Sequence, residues 1–152
     1  MKSTILKFGA YGFVFALIVF LLVLFFGKDL ESSIQVIIGY VTMTISSFFI
    51  FFGIKHFRDK ENNGKVSFGR ALLIGMLIAL IISFGIAIAD YIYTTVFNPD
   101  FFEEYKTMMR ADGYEGELPE YSSGFMAMLM SVTVFCIGFV VSLLSTLLLQ
   151  RK

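Results

Sequence analysis

The chain has 152 residues, of which 57% are hydrophobic and 16% charged, with twelve Lys and Arg balanced by twelve Asp and Glu. Such a composition is too apolar for an ordinary soluble domain, and the length suits one compact unit. Four long apolar runs are separated by segments that carry the charge, which is the pattern of a membrane protein.

About 20 apolar residues in a helix cross a hydrocarbon core of roughly 30 Å. Four spans are expected, at about 8–27, 33–54, 71–95 and 124–148. The first, uncharged from Phe8 to Gly27, exceeds the h-region of a signal peptide and is followed by no A-x-A-like site, so it reads as a retained helix. The connection Lys28 to Glu31 is short and makes the first two helices antiparallel neighbours. Thr42, Thr44, Ser46 and Ser47 make the second span the most polar; hydroxyls there are expected to bond their own backbone or a neighbouring helix.

The next connection holds Asn62-Asn63-Gly64, a turn signal, and Ser67, a cap for the third helix. His56 is the only histidine, so one chain cannot build a bis-His haem or a His-rich metal site. Arg58 and Arg70 are read as loop anchors to lipid phosphate.

In the third span Ala71, Gly75, Ala79, Ser83 and Ala87 recur at i+4, a row of small residues fit for close helix contact. Gly138, Ser142 and Thr146 form a shorter row in the fourth. Asp90 is the one carboxylate inside otherwise uncharged sequence, and an intramembrane acid is a candidate functional group. Twenty residues of helix from Arg70, about 30 Å, place it at the far membrane edge, where it reads as a hydrated anchor beside an aromatic belt of Tyr91, Tyr93 and Phe97. A hydrophobic carbodiimide is therefore expected to leave it unmodified.

The outward segment 98–120 opens with Asn98-Pro99, an N-cap with Pro at the first helical position. Phe101, Phe102, Tyr105, Met108 and Met109 share one face of a short amphipathic helix, and Gly113 marks its stop. Cys136 is the only cysteine; it precludes an intrachain disulfide and reads as a small packing residue.

Nine of the twelve basic residues belong to the N-terminus, the Lys55 to Arg70 connection and the C-terminus, whereas Lys28, Lys106 and Arg110 are the other three. Positive flanks are retained in the cytoplasm, so both termini and that connection should be cytoplasmic. Eight of the twelve acids fall from Asp90 to Glu120, on the outward side.

Membrane oxidoreductases that exchange disulfides need paired cysteines, and small four-helix multidrug exporters place an acid inside their first helix, where this chain has none. No P-loop, H-E-x-x-H or nucleophile–base grouping occurs, so no catalytic, cofactor or metal residues are assigned and an enzyme is not expected.

The stretch from Phe51 to Gly75, FFGIKHFRDKENNGKVSFGRALLIG, together with Asn98-Pro99-Asp100-Phe101, resembles the domain of unknown function 4199 family, small bacterial proteins with four predicted membrane helices. The resemblance covers nearly the whole chain. It implies an integral membrane protein, nothing catalytic, and no functional residues to carry over.

The expected architecture is all-α: a single four-transmembrane-helix bundle in the cytoplasmic membrane, with the short amphipathic helix in the 3–4 connection. A packing or partner-binding membrane subunit is the leading functional expectation. The alternative is an oligomeric transporter element for a small molecule or ion that uses Asp90. Lipid and a second copy or another membrane protein are the expected partners; nucleic acid and cofactors are not expected.

Overall fold

Helix starts and stops follow the local signals closely, with instructive departures. A computed structural model describes residues 1–27 and 30–150; Lys28, Asp29, Arg151 and Lys152, three of which entered the charge count, lie outside the described residues. The elements are α1 (Lys2–Gly27), α2 (Ser32–His56), α3 (Phe68–Ile92), α4 (Phe101–Ala111) and α5 (Ser123–Leu149). All but α4 are long and apolar enough to cross a membrane. The chain is a multi-pass, all-α bundle.

α2 runs on into a wider π-helical turn at Phe57–Glu61. It is stopped by Asn63 and Gly64 at φ 52° and 77°, a left-handed pair that Asn and Gly adopt at least cost. The turn is closed by Gly64 N–H to the Arg58 carbonyl at 2.8 Å and by the Asn62 amide to the Lys65 carbonyl at 2.6 Å. Ser67 occupies the N-cap position of α3, but its hydroxyl makes no capping bond; its carbonyl accepts from Ala71 N–H.

α4 begins two residues later than Asn98-Pro99 predicts. Asn98 and Pro99 lie in the preceding turn, and the Asn98 amide donates to Glu104 Oε2 at 2.9 Å instead of capping from outside. At the other end Gly113, at φ 88°, closes a Schellman-type stop with Tyr114 N–H on the Met109 carbonyl at 3.0 Å.

The four long helices stand in ring order α1, α2, α5, α3, with α2 and α3 also in contact across the centre. α3 and α5 are antiparallel and pack most extensively, because their small residues meet. A Cβ added to Gly138 would lie 2.6 Å from the Ala79 Cβ, and one added to Gly75 would lie 2.7 Å from Ser142 Oγ. Farther along the seam, the Ser131 hydroxyl donates to Ser83 Oγ at 3.2 Å. Beside this row, Ile74, Ile78, Ile82 and Ile86 repeat at i+4 and are fully buried in the centre of the ring.

Met1, the 57–67 connection and Leu149 come together at one end. The Met1 ammonium and the Thr4 hydroxyl both donate to the Glu61 carboxylate, and Arg58 Nη1 reaches the Leu149 carbonyl. α4 lies at the opposite end, held by the edge-to-face contact of Phe101 with Tyr93, ring centroids 5.9 Å apart. None of its residues is buried.

Candidate functional site

Asp90 lies four residues beyond Ile86, on the same side of the helix as that buried residue. The residue is 6% exposed, and its Oδ2 is buried with no hydrogen-bond partner among the described residues. The hydrated anchor expected from its distance to Arg70 is thus replaced by an enclosed carboxyl: spacing along the axis fixed its depth, and the facing decided its solvation.

The backbone around it is well tied. Beyond Ile92 the helix widens into a π turn at Tyr93–Phe97. The Thr94 hydroxyl donates to the Asp90 carbonyl at 2.9 Å and lies 3.4 Å from that of Tyr91, while Asn98 N–H closes on the Tyr93 carbonyl at 2.8 Å. α5 starts against this turn, with Ser123 Oγ 3.5 Å from the Thr94 carbonyl and Ser122 Oγ capping Phe125 N–H at 3.2 Å. Rigid backbone therefore presents a side chain that is itself unsatisfied.

Helix register identifies what stands at the same depth. Gly12, Phe49 and Ile82 meet at one level: a Cβ on Gly12 would lie 2.6 Å from Ile82 Cδ1 and 3.3 Å from Phe49 Cβ. Eight residues on, about 12 Å along each axis, are Phe20 on α1 and Asp90 on α3, and on α2 the chain has returned to Val41, next to Thr42. Phe20, Asp90 and Thr42 are buried, whereas Val41 is exposed. The helices packed on α3 carry no charged residue in α1 after Lys7, in α2 before Lys55 or anywhere in α5.

A lone carboxyl in such a setting can take up a proton or pair with a monovalent cation. Among the described residues no group of three or more His, Cys, Asp or Glu is placed to hold a metal ion.

The remaining singled-out residues fall into separate places. Ala71, Gly75, Ala79 and Ser83 are buried, whereas Ala87 is half-buried and lines a shallow groove with Gly124, Ala127 and Ser131. Arg58 does not stand free for lipid phosphate. Its Nε and Nη2 engage Asp59 at 2.6 and 3.1 Å, and Nη1 lies 3.5 Å from the Leu149 carbonyl at the negative end of the α5 dipole. Arg70 is exposed.

Ser46, Ser47 and Thr44 donate to carbonyls four residues earlier in their own helix, at 2.8, 2.9 and 2.8 Å. Cys136 faces outward from the bundle rather than packing within it. Thr146, fully buried, has a hydroxyl with no partner among the described residues, a second orphan that the sequence does not announce.

A family model described as a protein of unknown function (DUF4199) matches residues 7–151. No curated protein and no solved structure matches the chain.

Proposed function

Since the chain belongs to the DUF4199 family, which carries no assigned activity, its function has to be read from its own residues, and we propose that it is a membrane-embedded exchange site in which Asp90 takes up and releases a proton or a monovalent cation. The observation that carries this reading is the buried Oδ2 with no partner. An unsatisfied buried acceptor costs about 1–3 kcal/mol, more when ionised, so its retention inside a helix bundle calls for a second occupant. No catalytic step is assigned, because no nucleophile or second acid–base group accompanies it.

A hydrophobic carbodiimide tests the proposal, as it reacts with protonated carboxyls in apolar surroundings far better than with hydrated carboxylates. The full chain at pH 7 should be modified at Asp90, as located by peptide mass, and Asp90→Asn should abolish the adduct. An unmodified Asp90 would return it to the role of an interfacial anchor.

The reading as a partner-binding subunit draws support from a different observation, the groove between α3 and α5 at the α4 end. Its floor of Ala87, Gly124, Ala127 and Ser131 is small and its walls include Phe84, Ile88, Tyr91 and Met128. Co-purification from native membranes with identification of bound protein by mass tests it; a chain recovered alone removes it.

The location that best suits both readings is the cytoplasmic membrane of a bacterium. The end holding Met1, Glu61 and Leu149 would then face the cytoplasm, as the Lys and Arg distribution supports.

A further inference from the structure

Among the described residues, α4 is the one helix that packs along no other. The Phe101 ring ties its first turn to Tyr93, and no residue of the helix is buried. Its sequence is nonetheless two-faced. Phe101, Phe102, Tyr105, Met108 and Met109 fall within about a third of the helix circumference, while Glu103, Thr107 and Arg110 stand opposite. Tyr105, in the middle of the apolar face, is exposed, and the other four are half-buried.

The helix starts where the hydrocarbon ends. The span formed by α3 and its π turn runs through Phe97, and Val96 and Phe97 are 68% and 56% exposed, apolar side chains that meet lipid in a membrane. From there the chain has no length in which to climb away. Asn98 N–H bonds back to the Tyr93 carbonyl at 2.8 Å and Phe101 N–H to the Asn98 carbonyl at 3.1 Å, so α4 begins within one tight turn of the end of the span. At that level the surroundings change from acyl chain to headgroup, and a two-faced helix satisfies both by lying across the boundary.

We propose that α4 is a lipid-docking helix, lying flat in the headgroup layer with Phe102, Tyr105 and Met109 among the upper acyl chains, where they continue the lipid-facing surface of Val96 and Phe97. The partner is an electrically neutral lipid surface. Lys106 Nζ donates to Glu103 Oε1 at 2.9 Å, and the 98–120 segment holds seven acids against Lys106 and Arg110, so attraction to anionic headgroups does not seat the helix. Apolar and aromatic insertion has to supply the binding. The proposal does not depend on Asp90.

The chain has no tryptophan, so a single introduced one reports its own surroundings. Tyr105→Trp and Phe102→Trp on the apolar face, and Thr107→Trp opposite, are each reconstituted as the full chain in phosphatidylcholine vesicles and read by emission wavelength and by quenching with brominated phosphatidylcholines. Thermal midpoints in detergent control for folding. The expected result is blue-shifted emission at positions 105 and 102, with quenching roughly threefold stronger than at 107 and stronger from bromine near the ester than from bromine near the chain end. Blue-shifted emission without quenching would put the face against protein, either the mouth of the bundle or a second copy, and overturn the proposal. Equal quenching on the two sides of the helix, or strongest quenching from the chain end, would also overturn it. Quenching that appears only when phosphatidylglycerol is added would mean capture by anionic headgroups and would overturn the neutral surface.

Discussion

Asp90 and Thr146 are two buried side chains with an unsatisfied oxygen, and they differ in what they cost. A hydroxyl can relax onto its own helix carbonyl, whereas a carboxyl has no donor of its own when ionised. Asp90→Leu should therefore stabilise the bundle, by about 1–3 kcal/mol, while eliminating the carbodiimide adduct. Thermal aggregation in detergent reports the midpoint, and a fall instead of a rise would mean that the carboxyl has a partner. Thr146→Val keeps the shape and removes the orphan hydroxyl, so its midpoint should stay level or rise slightly; a drop of more than about 1 kcal/mol would show that the hydroxyl is bonded. The isoleucine row was readable in advance. Residues 74, 78, 82 and 86 are all Ile, and Asp90, four residues beyond Ile86, shares a side with that last member. Distance from Arg70 gives only the depth of Asp90; its facing follows from its position relative to Ile86.

At the scale of helices, the seam between α3 and α5 carries small residues on both sides because lipid tails remove the incentive to bury Leu against Leu, leaving close backbone approach as the gain. Ala79→Ile pushes a larger side chain into the Gly138 contact and should cost about 1–3 kcal/mol. Leu77→Ile, at a position 36% exposed, should be mild. Equal midpoints for the two would remove the seam from the account. Glycine offers a sharper contrast: Gly138→Ala drives a Cβ to within 2.6 Å of Ala79, whereas Gly39→Ala meets nothing within 4 Å and should gain a few tenths of a kcal/mol in helix propensity, roughly 0.5. A loss at Gly39 comparable to that at Gly138 would show that α2 is packed along its whole length.

For the whole molecule the decisive quantity is orientation. The fold brings Met1, the 57–67 connection and Leu149 to one end and α4 to the other, which agrees with an even number of crossings but does not say which end meets the cytoplasm. The Lys and Arg distribution is the ground for the proposed cytoplasmic placement of the Met1 end. In a Cys136→Ser background, a cysteine placed at Gly116 should react with an impermeant thiol reagent added to intact cells, and one placed at Asn63 should not. Reaction at Asn63 alone would invert the assignment and put the acidic segment inside.

Sequence by itself determined the elements. Hydrocarbon thickness sets a minimum length for an apolar run, charge cannot lie in lipid cheaply, and Asn63-Gly64 and Gly113 end helices wherever they occur, all of which are local constraints. It also made the small rows on the third and fourth spans visible. Only the tertiary structure decided that those rows face each other, that Arg58 reaches the end of α5, and that Asp90 is enclosed. Each of these depends on which helices are neighbours and how each is rotated about its axis, and a single chain's pattern of polarity leaves that open when lipid and protein interior are equally apolar.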